Sequence, residues 1–200
     1  MEYLAKNKKT IFIGQAVEVP GTSMSNTLKN INKNKLLELP VAEEMQMGIT
    51  LGLAMDGNIP ISIYPRWNFL LYAVNQLINH IDKFSVMMGK RIKPKIIIRT
   101  GIGSKTPLHP QYQHVGDFTD AFKKMSTTIE VIKLKQAKDI FPAYKKAFLR
   151  KDGKNTILVS LVHLNRYVNV TIPENVATSL KAPSPKSVNN IQIQSWSVTA

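Results

Sequence analysis

The chain has 200 residues and a mass of 22.5 kDa, the size of one ordinary domain with or without a tail, and too small for a multidomain enzyme. With 44% hydrophobic and 20% charged residues it can bury a real core, and the lack of cysteine excludes a disulfide framework, a thiolate metal site and a cysteine nucleophile. The net charge of +14 attracts a polyanion, an acidic partner or an anionic cofactor without choosing among them.

Residues 10–14 form a β-branched run closed by Gly14, which predicts a buried strand. A turn-rich segment around Pro20 and Gly21 follows, and residues 36–39 before Pro40 predict a second strand. From Glu43 to Met55 apolar residues return at helical spacing, and two acids in the first turn complement a helix N-terminus. Gly48 and Gly52 share one face of that helix, a pair whose usual compensation is close approach of another backbone. Residues 59–64 predict a third strand, and the spacing of Leu70, Ala73, Val74, Leu77, Ile78 and Ile81 a helix over 69–84. Residues 95–99 read as a strand and 100–117 as one long loop of the length that commonly carries function. A strand over 129–134, a helix over 137–150 and a strand over 156–160 complete the pattern. This alternation predicts an α/β fold, a mostly parallel sheet with helices on both faces, whose ligands sit at the carboxyl ends of the strands. The domain is expected over residues 1–164, with a polar tail over 165–200 that is poorly ordered or wraps a partner. No stretch reaches the ~18–20 apolar residues of a membrane span, and residues 1–15 lack the apolar centre of a signal peptide, so a cytoplasmic location is expected.

General motifs are few. Gly101 and Gly103 follow a strand without the third glycine or the downstream acid of a dinucleotide fingerprint, and Gly103 to Thr106 lacks the spacing of a phosphate loop. His109, His114 and Asp117 offer no fourth ligand, so no metal site is assigned. Residues 83–116 hold seven basic residues and no acid. With no aromatic between Phe84 and Tyr112 to stack on bases, this stretch reads as a solvated basic face, or one that docks an acidic subunit, ahead of a nucleic-acid surface.

At Pro40, Val41, Ala42, Glu43 and Glu44, a glutamate follows a short strand just where a glycine-containing helix begins. This resembles the pyrimidine-binding domain of thiamine-diphosphate enzymes, most of all the beta subunit of the pyruvate and branched-chain 2-oxo acid dehydrogenases. The resemblance runs in order through residues 11–14, the run Arg66, Trp67, Asn68 and Phe69 with the helix after it, the strand ending at Arg99, Gln113 with His114, and the strand starting at Ile129, covering residues 10–161. It departs at Gln15, where the family carries an acid, and at Val115 and Gly116, where it carries Ser-Gln. The family's beta subunit also continues into a further C-terminal domain, so a pyrimidine-domain subunit standing alone is expected here.

The resemblance implies thiamine diphosphate as cofactor and a 2-oxo acid or related ketone as substrate, for decarboxylation or carbon-carbon transfer. Glu43 would bond the pyrimidine ring nitrogen as the catalytic carboxylate, Trp67 and Phe69 would wall the ring, and His114 would meet the substrate or an intermediate. The alternatives are a first-turn acid for Glu43, core aromatics for Trp67 and Phe69, and a surface histidine for His114. The family's Gly-Asp-Gly magnesium motif is missing from the chain. Magnesium and the diphosphate are therefore expected on a diphosphate-binding alpha-type partner in a hetero-oligomer with two of each chain. A non-catalytic interaction subunit that keeps the domain is the rival reading.

Overall fold

The computed structural model describes residues 1–89, 91–105 and 109–161; the expected tail over 165–200 lies outside the described residues. In chain order the elements are α1 (Glu2–Ala5), β1 (Thr10–Gly14), β2 (Leu36–Glu38), α2 (Glu43–Met55), β3 (Ile59–Ile63), α3 (Trp67–Leu70), α4 (Asp82–Met87), β4 (Ile97–Ile102), α5 (Thr119–Met125), β5 (Ile129–Leu134), α6 (Ala137–Leu149) and β6 (Asn155–Leu161). The strands make one six-stranded sheet in the order β2-β1-β3-β4-β6-β5, and every pairing is parallel.

Alternating side chains of the central strands feed two separate cores, as a parallel sheet covered on both faces requires. Ile96, Ile98, Ile157 and Val159 join α2, α3 and Phe122 of α5 on one face. Ile97, Leu158, Ile61 and Ile63 join Leu4, Leu28 and, from α6, Tyr144 and Ala147 on the other. The chain leaves β1 along the second face, through Val17, Met24, Leu28 and Ile31, and after β2 comes back along the first face through α2. The space between the carboxyl ends of β1 and β3 is thus the switch point at which open α/β sheets hold ligands.

The helix expected over 69–84 is a composite. It begins as α3, tightens into a 3₁₀ turn at Leu71–Ala73, widens into a π-helix at Gln76–Ile81 and finishes as α4. The changes of pitch keep Leu70, Ala73, Leu77 and Ile81 all buried in one core. Residues 119–125, where the sequence shows no periodicity, form α5.

The basic stretch does not make one solvated face. Lys83 donates to Asp82 at 2.7 Å, Lys95 to the Phe148 carbonyl at 2.9 Å, and buried Arg99 to Thr27 Oγ1 at 2.6 Å. Burial opposes the Asp82 charge, but Lys83 with Thr127 and Thr128 holds the carboxyl well below the ordinary range.

Candidate functional site at the carboxyl edge of the sheet

Gly14, Glu38 and Ile63 lie in register at the carboxyl ends of β1, β2 and β3. A Cβ at Gly14 would stand 2.3 Å from the Ile63 carbonyl oxygen, so only glycine lets β1 run this close. Beyond it the chain turns sharply at Ala16, whose φ is 54°, and the Glu38 carboxylate accepts from the Ala16 and Glu18 amides at 2.6 and 2.9 Å. From α2, Gln46 Nε2 donates to Ser62 Oγ at 3.1 Å and to the Ile63 carbonyl at 3.0 Å. Thr50, one turn along α2, donates to the same Ser62 oxygen at 2.9 Å. These buried bonds fix α2 on β3 and with it the residue that opens the helix, Glu43.

Glu43 is 7% exposed, whereas Glu44 faces solvent. Its backbone carbonyl accepts from the Tyr64 hydroxyl at 3.0 Å. Burial, opposed by a bond to Ser62 and helped by the charge of Glu43, raises the Tyr64 phenol, which stays a donor. The Glu43 carboxylate itself makes no hydrogen bond or ion pair among the described residues.

The aromatic pair expected as a wall is divided. Trp67 is fully enclosed, its ring 4.5 Å from that of Phe122, and belongs to the core. Phe69 is half-buried, packs on the core that holds Trp67, and lies 5.8 Å from the His114 ring at an interplanar angle of 31°. His114 reaches it because the loop after β4 folds back over Gly103. A Cβ there would stand 2.1 Å from the His114 carbonyl oxygen, and at Gly116 one would meet the Phe118 ring at 2.7 Å. His109 instead accepts from the Gln111 amide at 3.0 Å, and Asp117 pairs with Lys133 at 2.6 Å and bonds Thr119, so the three do not converge on a metal.

Several residues of the resembling segments carry polar atoms without partners near this edge. Gln15 Nε2, Asn68 Oδ1 and His114 Nδ1 are buried with no hydrogen-bond partner among the described residues, as is Trp67 Nε1. Arg66, just before α3, is half-buried, and burial lowers its pKa. Native structures rarely leave such groups unpaired. No periodicity signals them, because an unpaired atom is a property of the assembled edge.

No family model matches the chain. It is similar to the pyruvate dehydrogenase E1 component subunit beta of Dictyostelium discoideum, 27% identical over 114 residues, 56% of this chain and 32% of that one. That of Bos taurus is 28% identical over the same shares, and that of Chaetosphaeridium globosum 37% over 65 residues, 32% and 20%. The matched stretch spans about a third of the length of the first of these relatives. Among solved structures, a split-gene transketolase described as an inactive beta4 tetramer superposes with a TM-score of 0.60 at 16% identity, over 79% of this chain and 47% of that one. Benzoylformate decarboxylase from Polynucleobacter necessarius gives 0.62 at 17%, over 93% and 33%. The chain's homologues are pyruvate dehydrogenase E1 beta subunits, matched over about half of it, and its α/β fold is that of transketolase-type thiamine-diphosphate enzymes.

Proposed function

We propose that this chain is the pyrimidine-side subunit of a thiamine-diphosphate-dependent enzyme that acts on a 2-oxo acid or related ketone, with its active site shared with a diphosphate-binding subunit. The observation that carries the reading is Glu43, buried at the carboxyl edge with its carboxylate unpaired while Glu44 beside it is solvated. The edge fits an aminopyrimidine: a carboxylate for a ring nitrogen, a half-buried aromatic face at Phe69, and unpaired polar atoms at Gln15 and Asn68. Thiamine diphosphate, when bound, would supply an acidic carbon able to add to a ketone and an electron sink for the bond cleaved next to it.

In this reading Glu43 would hold a proton against a pyrimidine ring nitrogen, a role in which a positioned acid contributes roughly 100-fold or more. Phe69 faces the ring, and Trp67 supports Phe69 from the core. His114, its ring set against Phe69 and its Nδ1 unpaired, meets the substrate carboxylate or carbonyl. Among the described residues no group of three His, Asp or Glu is placed to hold a metal, and in this reading magnesium and the diphosphate are bound by the partner, in an assembly of two of each chain. The described residues contain no helix long and apolar enough to cross a membrane. A cytoplasmic location goes with the cysteine-free composition.

The test is Glu43→Gln in the reconstituted complex. Glutamine keeps size and hydrogen bonding but not the transferable proton, so cofactor binding should change little while exchange of the thiazolium proton with deuterated water slows by at least ~100-fold. Glu44→Gln should keep normal exchange. Normal exchange in Glu43→Gln, or a larger defect in Glu44→Gln, would leave the non-catalytic interaction subunit as the better reading.

A further inference from the structure

At the opposite edge of the sheet, where the strands begin, a recess of about 260 Å³ is lined by Lys93, Pro94, Lys95, Arg150, Lys151, Gly153 and Lys154. Three segments converge to make it: the approach to β4, the C-terminal end of α6 and the turn into β6. The turn is rigid. Gly153 has φ +77°, with the Lys93 stem close enough that a Cβ would meet it at 3.1 Å, and the Asp152 carboxylate accepts from the Lys154 amide at 3.1 Å.

Asp152 and Glu130 offset part of the positive charge here, Asp152 attracting Lys154 as well as Arg150, but cations outnumber acids around the recess. Arg150 is fully engaged: it holds both Asp152 oxygens at 2.8 Å, contacts Glu130 at 3.0 Å and bonds Thr156. It therefore serves as wall. Lys95 is half-buried and tied to the Phe148 carbonyl. Burial and the charges of Lys151 and Arg150 lower its pKa. Lys93, Lys151 and Lys154 have exposed side chains and form no ion pair among the described residues. Cations crowded this way repel one another until an anion enters between them.

We propose that this recess binds a small polyanion of the phosphate class, gripped by the Lys93, Lys151 and Lys154 ammonium groups above a floor of Pro94 and Lys95. The site is concave and of a size for one or two phosphoryl groups, and no aromatic residue lines it to stack a base. Those features favour a phosphorylated small molecule over a nucleic-acid strand. The proposal is independent of the reading of the Glu43 site, which lies at the other end of the strands.

The probe is inorganic pyrophosphate, titrated calorimetrically into the full chain. One saturable site is expected, weakening at least ~10-fold in Lys93→Gln/Lys154→Gln and with added salt, as lysine contacts to a solvated anion do. Lys124→Gln, an exposed lysine on α5, should leave affinity within about twofold, and circular dichroism should be unchanged in all variants. Absence of saturable heat, or equal weakening by Lys124→Gln, overturns the proposal in favour of a general response to the basic surface. Competition by a single-stranded oligonucleotide that binds at least ~10-fold more tightly than pyrophosphate, and is lost in the double lysine variant, overturns it in favour of a strand-binding face.

Discussion

Gly103 decides where His114 can stand, because the His114 carbonyl oxygen occupies the space a Cβ would need, 2.1 Å away. Backbone is the obstacle, so in Gly103→Ala the loop must move and the sheet need not. We expect Gly103→Ala and His114→Ala each to lower kcat/KM of the reconstituted enzyme on the order of 100-fold, the effect of an ångström-scale displacement of a reacting group, with cofactor affinity nearly kept. Their effects should not add, since both remove one placed imidazole; additive losses would separate Gly103 from His114. Asp82 shows a residue acting on stability alone. Fully buried, it accepts from the Thr127 and Thr128 amides and hydroxyls and from Lys83, and the net effect is a carboxyl far more acidic than usual. A lowered pKa contributes stability above the unfolded value and loses it as pH falls through ~4 and below. Asp82→Asn should therefore cost about 3 kcal/mol at pH 7, and the gap to wild type should narrow in urea melts at pH 3. A constant gap would assign the loss to packing. Glu43 was legible in the sequence as a first-turn acid, with the family resemblance adding its role. Gly103 and Asp82 were not legible, since close approach and amides from a distant loop exist only after folding.

Elements whose apolar pattern repeats were readable to within a few residues, the strand expected over 95–99 running instead from Ile97 to Ile102 into the expected loop, and those held by a single contact were not. Glu43–Met55 and Ile129–Leu134 have the bounds their periodicity predicts. The helix over 69–84 was expected from the same signal, but its π-helical stretch at Gln76–Ile81 was invisible, because the spacing of Leu77 and Ile81 is equally compatible with an ordinary turn. Residues 119–125 bury one large apolar side chain, Phe122, which gives no period to detect. That contact nevertheless decides the element. Phe122 lies against Trp67, so α5 closes the core beneath α3 and holds the base on which Phe69 rests. Phe122→Ala should cost roughly 3–5 kcal/mol in urea unfolding by opening a cavity, and should loosen Phe69 and His114 enough to raise KM. Phe122→Leu, which refills part of the space, should recover most of both. Loss of stability with unchanged KM would show that α5 supports the core but not the site.

On the scale of the whole molecule, a parallel sheet places all strand ends of one kind on one edge, and the two edges here differ in chemistry. The amino edge gathers lysines, and the carboxyl edge holds the poorly exposed Glu43 together with Gln15, Asn68 and His114, each with a buried polar atom that has no partner among the described residues. The alternation of strands and helices foretold the parallel sheet, but not the strand order, since crossovers leave no mark in local sequence. An edge with an unpaired carboxylate and no metal-binding group among the described residues is half of a cofactor site in the reading above, and this has a measurable consequence. The chain alone should unfold cooperatively on heating, because both its cores close within the described residues, yet bind thiamine diphosphate poorly with or without magnesium. Two charge-assisted bonds to the diphosphate, each worth ~1.5–3 kcal/mol, supply a factor of at least ~100 in affinity. Calorimetric titration should show that gain when a diphosphate-binding subunit is added with magnesium, and should lose it on chelation of the metal. The isolated chain binding as tightly as the mixture, or binding that ignores magnesium, would rule out a site divided between two chains.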